Sequence, residues 1–276
     1  MTDGWVEHHG RRVAYATYGP DDGAPVVFIA GAGCGRRMSF GRDLLDDRGL
    51  RLISVDRPGI GGSDPDPSKT FDTVAADFAA IVDTVAGRPV PVVANSQGAP
   101  FGLALARTGR VTRLVLASPI DDLGHPPLAA LLPPASREFV RAMATDPYEA
   151  LSNLSGFTAT RLFDMIMTQY PPSDGAVYDD PDFRAMLRAA LADGFSQGSA
   201  GYARDTLLAT TPWPAELMTP GVDVRVLFGS DDTVHSPDRC ATLALRIPGM
   251  TRTIVDGVGG SLLWARADLV LSALAG

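Results

Sequence analysis

Lysine is almost missing from this chain: Lys69 stands alone, and every other fixed cation is an arginine. Cations of any kind are outnumbered, 24 against 32 acidic residues, for a net charge of −8 and a calculated pI near 4.9. An acidic surface argues against nucleic acid and against anionic membrane surfaces as partners. Cysteine is equally scarce. Cys34 and Cys240 lie far apart and show no metal-ligand spacing, so two free thiols in a reducing compartment are expected, and no metal. The polar stretch from Met1 to Arg12 has no apolar run of the kind a signal peptide needs, and no segment is apolar for long enough to span a bilayer. A cytoplasmic protein is expected. The chain has no internal repeat, no phosphate-binding P-loop and no dinucleotide fingerprint, so no cofactor is expected. Histidine is limited to His8, His9, His125 and His235.

What is present is an alternation of apolar strands and helical segments. Arg12–Tyr18 alternates and stops at Gly19-Pro20, as an antiparallel strand ending in a turn does. Pro25–Ala30, Leu50–Val55, Val90–Ala94, Val111–Ala117, Val222–Phe228 and Met250–Val255 read as further strands, the more continuous ones buried on both faces. Phe71–Val85 has apolar residues at helical spacing, and Leu262–Leu274 reads as the last helix. Strand–helix alternation implies a parallel sheet with helices on both faces, and such sheets bind ligands at the carboxyl ends of their strands.

Three loops fall at such ends: the glycine-rich Gly31–Arg37, Asp56–Asp64, and the turn Asn95-Ser96-Gln97-Gly98. The last joins an apolar strand to a helix of small residues, and a turn this tight needs small neighbours on both sides of the serine, which Ala94 and Gly98 supply. By itself the turn is also consistent with an ordinary strand–helix junction.

Between Ile120 and Met218 the strand pattern lapses. Proline-rich joints separate helical stretches at Ser136–Met143 (Ser136 as N-cap), Thr160–Tyr170 and Asp182–Leu191. Met143, Met165, Met167, Phe195 and Trp213 there either line an apolar pocket or fill the interior of the segment.

The turn at Ser96, the Gly31 loop and the run Asp56-Arg57-Pro58-Gly59-Ile60-Gly61-Gly62-Ser63-Asp64 together resemble the α/β-hydrolase superfamily, over nearly the whole chain. That resemblance implies an α/β fold, a mostly parallel sheet flanked by helices, with residues 1–119 and 219–276 as the core and residues 120–218 as an inserted helical cap. It implies Ser96 as nucleophile and the backbone N–H groups of Ala32 and Gln97 as an oxyanion hole. Ala94 and Ala30 replace the family's usual glycine and histidine, and the Asp56 loop is implied to shape the site without taking part in the chemistry. The resemblance also implies a triad acid in the loop after the strand Val222–Phe228, on Asp232, with Asp231 as the adjacent alternative; on composition alone the loop reads as a solvated turn rich in Asp. A nucleophilic serine, rather than aspartate, sets the chain apart from haloalkane dehalogenases and soluble epoxide hydrolases.

The resembling family carries its catalytic histidine in a G-H-S motif between the last strand and the last helix. Here the motif is Gly259-Gly260-Ser261, with Gly260 at the position of the expected base. A serine hydroxyl without a base is a poor nucleophile. Of the four histidines, His235, near Asp232, and His125, at the entrance to the insertion, are candidates for a displaced base, and neither is favoured. The reading is therefore a serine-hydrolase-type enzyme for a small apolar ester, lactone or thioester, disabled or altered at Gly260. Two alternatives remain: a non-hydrolytic lyase, isomerase or cyclase on the same scaffold, or a ligand-binding protein of the kind that gibberellin receptors exemplify. Retention of Ser96 and Asp232 weighs against the binder.

Overall fold

The computed structural model describes residues 1–275. Eight strands form one sheet: β1 (Thr2–His8), β2 (Arg11–Tyr18), β3 (Ala24–Ile29), β4 (Leu50–Val55), β5 (Val90–Ser96), β6 (Val111–Pro119), β7 (Asp223–Gly229) and β8 (Thr251–Val255), in the order β1-β2-β4-β3-β5-β6-β7-β8. The β1–β2 and β2–β4 pairs are antiparallel and all others parallel. The central strands are buried along nearly their whole length, which is why they read as continuous apolar runs. The sequence reading misses β1. Val6 is its only buried residue, so an edge strand with one apolar anchor leaves no alternating signature.

One face of the sheet is covered by α1 (Phe71–Ile81) and α2 (Ala99–Ala106), and Phe71, Phe78, Phe101 and Leu105 pack with the strand residues Val27, Ile29, Val92 and Leu116. Thr70 caps α1 with a reciprocal pair of bonds to Thr73. The opposite face carries Phe28, Val93 and Val115 packed with Phe40, Leu45, Leu262, Val270 and residues of the insertion. The last helical segment is not continuous: it breaks at Arg266 into Leu262–Ala265 and Ala267–Ser272.

The segment between β6 and β7 is helical. Its longer helices are Pro134–Thr145, Pro147–Leu154, Ala159–Thr168, Pro181–Gly194 and Ala200–Thr210. The first starts at Pro134, which supplies the preset φ of a first helical residue, so Ser136 is not its N-cap. The side-chain caps fall instead on Asp146, ahead of Pro147–Leu154, Thr158, ahead of Ala159–Thr168, and Asp180, ahead of Pro181–Gly194. No described helix is long and apolar enough to cross a membrane.

A buried charge cluster ties the insertion to the core. Arg57 donates from Nε to Asp205 at 2.7 Å and from its two terminal nitrogens to the carbonyls of Ala30, Gly31 and Cys34. Lys69 pairs with the same carboxylate and donates to the Pro58 carbonyl. All three side chains are essentially unexposed. Burial lowers the Lys69 pKa, with Arg57 acting in the same direction and Asp205 opposing. The glycine-rich loop after β3 is thus held by one guanidinium, which also grips the helix Ala200–Thr210 of the insertion.

Candidate active site

Ser96 ends β5 with φ of 49°, a left-handed conformation that costs a non-glycine residue energy and lifts its side chain off the sheet. The neighbours show why they are small. A Cβ on Gly98 would lie 2.5 Å from the Ile29 carbonyl and 2.9 Å from those of Ala30 and Asn95. One on Gly31 would lie 3.1 Å from the Ser96 Cβ. The glycine-rich loop therefore passes directly over the serine, and among the described residues neither the Ala32 nor the Gln97 backbone N–H donates to a protein acceptor.

The serine has an imidazole partner. His235 Nε2 stands 2.9 Å from Ser96 Oγ, and His235 Nδ1 stands 2.8 Å from Asp232 Oδ2. A proton on Nδ1, held by the carboxylate, leaves Nε2 as acceptor for the serine hydroxyl. The expectation that Ser96 faces a position without an imidazole does not match this geometry. Gly260 does border the cluster, as its place in the chain suggests. A Cβ there would be 3.0 Å from His235 Cε1 and 3.7 Å from Asp232 Oδ2. The space a side chain at 260 would need is filled by a histidine from the other loop.

Local structure explains how a residue three positions from Asp232 reaches back to it. Asp232 Oδ1 accepts from the backbone N–H groups of Val234 at 3.0 Å and His235 at 3.2 Å, an Asx-type turn. The turn folds the chain over the carboxylate and returns the imidazole to its other oxygen. The Asp121 N–H donates to the His235 carbonyl and pins the far side. This turn is the signal that sequence reading passed over: D-x-x-H can close on itself, and a glycine at 260 leaves room for it. Asp231 is excluded from the cluster, since its carboxylate accepts from the Ser230 hydroxyl. His125 bonds through its backbone to Asp122, Leu128 and Ala129 and does not line the cavity.

Burial of Asp232, 3 % exposed, works to raise its pKa, but the His235 charge and hydrogen bonds from the imidazole and two backbone N–H groups bring it below the usual carboxylate value. Burial of His235 works the other way on the imidazole. The Asp232 carboxylate, by charge and hydrogen bond, and the charge of Asp174 outweigh it, so the imidazole pKa lies above its ordinary value.

The cluster opens into a cavity of about 610 Å³ between core and insertion. Gly31, Ala32, Ser96, Gln97, Asp232, His235 and Gly260 form its floor. Leu123, Phe139, Val140, Phe157, Leu162, Met165, Ile166, Phe183 and Leu187 form much of its wall. Of the residues offered for a pocket, Met165 lines it. Met143 is buried in the interior, and Trp213 packs on the far face of the sheet with Leu217. Among the described residues, no lysine or arginine lines the cavity. Cys34 does, but burial pushes its thiol up to about 12 against the opposing charge of Arg57, so it stays protonated. Asp56 is buried behind the Gly31 loop, held by the Arg36 backbone N–H, the Arg36 guanidinium and the Gly62 N–H, and does not line the cavity.

The model of the "Alpha/beta hydrolase family" matches residues 26–273. A non-heme chloroperoxidase of Streptomyces lividans is 33% identical over 125 residues, which are 41% of this chain and 43% of that protein, so less than half the relative's length is matched. Among solved structures, a hydrolase from Pseudomonas aeruginosa PA01 superimposes with a TM-score of 0.71 at 20% identity, covering 99% of this chain and 98% of the other. The enol-lactonase of Burkholderia xenovorans LB400 superimposes with a TM-score of 0.70 at 19% identity, covering 98% of each chain. At these identities the two structures speak to the fold alone. Eight strands in this order, a serine in left-handed conformation at the end of β5, and a family match over nearly the full length lead to one assignment: this chain belongs to the alpha/beta hydrolase family.

Proposed function

We propose that the protein is a serine hydrolase with its catalytic base relocated to His235, acting on a small apolar ester, lactone or thioester. The observation that carries this reading is the continuous chain of hydrogen bonds Ser96 Oγ to His235 Nε2, and His235 Nδ1 to Asp232 Oδ2, at 2.9 and 2.8 Å. Ser96 is the nucleophile, His235 the general base and then acid, and Asp232 the group that fixes the imidazole's tautomer and balances its cation. The acyl carbon of the substrate takes a bond from Ser96 Oγ as the hydroxyl proton passes to Nε2. The carbonyl oxygen becomes an oxyanion between the N–H groups of Ala32 and Gln97. Collapse of that intermediate expels the alcohol or thiol, protonated by the imidazolium. Water, deprotonated by His235 in turn, releases the acid from Ser96. The chemistry needs no cofactor.

The apolar wall supports an uncharged, apolar acyl or alcohol group as ligand. The segment 120–218 acts as a cap that sets the substrate and excludes water from the serine. Gly260 is not a lesion in this reading, because the base it lacks is supplied by His235.

The test is hydrolysis of p-nitrophenyl butyrate by the full chain beside Ser96→Ala, with an organophosphonate label located by mass spectrometry. Turnover that falls about 10⁴-fold or more in Ser96→Ala, with the label on Ser96, supports the reading. Equal rates in the two proteins, or a label elsewhere, overturn it.

A further inference from the structure

The loop between β8 and the helix Leu262–Ala265 no longer carries the base in the proposed reading, yet it is held tightly. Asp174 lies in a single turn of 3-10 helix, Pro172–Asp174, within the cap, and is 1% exposed. Its Oδ1 accepts from the Gly259 N–H at 2.7 Å and the Ser261 hydroxyl at 2.7 Å, and its Oδ2 accepts from the Ser261 N–H at 3.0 Å. All three donors belong to one core loop. A buried carboxylate with no cation beside it is costly unless donors surround it, and this loop provides them. Gly259 is small for this contact: a Cβ there would lie 2.6 Å from Asp174 Oδ2 and 2.5 Å from Pro171 Cγ.

The gripped loop faces His235. Gly260, at its centre, abuts the Cε1–Nδ1 edge of the imidazole. One residue earlier, the Val258 carbonyl accepts from the Asp231 N–H at 3.1 Å, which joins the loop to the turn that carries Asp232 and His235. The same loop packs on the end of β7, where a Cβ on Gly229 would lie 2.2 Å from the Val258 carbonyl. The imidazole is thus held between Asp232 and a wall whose position is set from the cap.

We propose that Asp174 is a positioning residue: it latches the cap to the loop 258–261, and through that loop it keeps His235 in line with Ser96. The inference rests on His235 being the base. It makes the docked position of the cap a condition for a competent base, so that a displaced cap releases the wall behind the imidazole. The charged and titratable groups around His235 are Asp232 from its own turn, Asp174 from the cap and the Tyr178 phenol from the short helix Gly175–Tyr178. Burial, together with the charges of Asp174 and Asp232, raises the phenol's pKa and keeps it neutral. Asp121 turns its carboxylate away, to the Ser236 hydroxyl. The charge of Asp174 is one of the influences that favour the imidazolium.

The variant is Asp174→Asn in the full chain. An amide keeps the shape but presents N–H to one of the three donors. Expected are a fall in kcat on p-nitrophenyl butyrate of about tenfold, a KM within about twofold, and an acid limb of kcat/KM moved to lower pH by about half a unit. Alongside, the His235 ring is titrated by NMR, with its signals assigned by their loss in His235→Ala. Its pKa is expected to fall by a similar amount in Asp174→Asn. A folded Asp174→Asn with unchanged kcat and an unmoved His235 titration overturns the latch. If that variant does not fold, Ser261→Ala removes one of the three bonds without stranding a charge. A fall in kcat at constant KM is then expected, and unchanged kcat overturns the proposal. The NMR arm needs no turnover: a moved titration in a protein without esterase activity keeps the latch and rejects the hydrolase reading.

Discussion

At the scale of single residues, the proposed site has one position giving way to another. Gly260 has no side chain because the His235 ring occupies the space next to it. A larger residue at 260 is expected to push the ring off Ser96. Gly260→His, made with His235 in place, is therefore expected to lower kcat at least tenfold, since two imidazoles compete for one carboxylate and one cavity corner. Steady-state kinetics on an aryl ester check this, and a gain in rate argues that Gly260 is an excised base. With His235 as the proposed base, a pH dependence follows. Its pKa is raised, so the neutral base needed for attack on the substrate is depleted at a higher pH than for a free imidazole. The acid limb of kcat/KM is expected to have its midpoint above about 6.5, and a pH–rate profile locates it.

Legibility differed sharply between residues at this scale. Ser96, Asp232, Ala32 and Gln97 can be singled out in the sequence because tight turns restrict residue size and motifs keep chain order, and the structure gathers all four around one cavity. His235 is only a candidate in the sequence, and not a favoured one, because its position beside Ser96 arises from a turn, not a motif. The Asp232 carboxylate caps two backbone N–H groups, and only that folding brings position 235 back to position 232. Nothing in hydrophobic periodicity reports such a turn.

Among the elements, the strands were the most legible, since burial on both faces writes an apolar run into the sequence. The β1 strand escaped because an edge strand with one buried residue has no pattern to read. Helix starts in the insertion were displaced where proline opened the helix. The ion cluster that ties the segment between β6 and β7 to the rest of the chain was not legible: Arg57, Lys69 and Asp205 lie far apart in sequence, and ion pairing leaves no periodic trace. This cluster holds both the loop over Ser96 and the helix Ala200–Thr210. Asp205→Ala strands two buried cations and is expected to destabilise the fold by about 3–5 kcal/mol. Denaturant unfolding measures it, and a loss below about 1 kcal/mol contradicts the assigned importance of the cluster.

For the molecule as a whole, acidity couples to stability. Burial pushes the Asp121 pKa up to about 6, with bonds from the Ser236 hydroxyl and the Asp122 N–H opposing. A carboxyl whose folded pKa exceeds its unfolded value favours the fold below the unfolded pKa. That contribution is lost as pH rises through the folded pKa, here between about 4 and 6. The net charge of −8 at neutral pH adds self-repulsion in the same direction. Thermal unfolding is therefore expected at higher temperature near pH 5 than near pH 7.5. Asp121→Asn is expected to narrow that difference, and an unchanged gap removes Asp121 as its source.

The most direct test of the central claim, a relocated base, is the rate of aryl-ester hydrolysis by His235→Ala with and without added imidazole. Catalysis by Ser96 with His235 as base predicts a loss of about 10⁴-fold or more, partly restored by imidazole entering the vacated space beside Asp232. A His235→Ala protein that remains folded and keeps its full rate without imidazole contradicts the account.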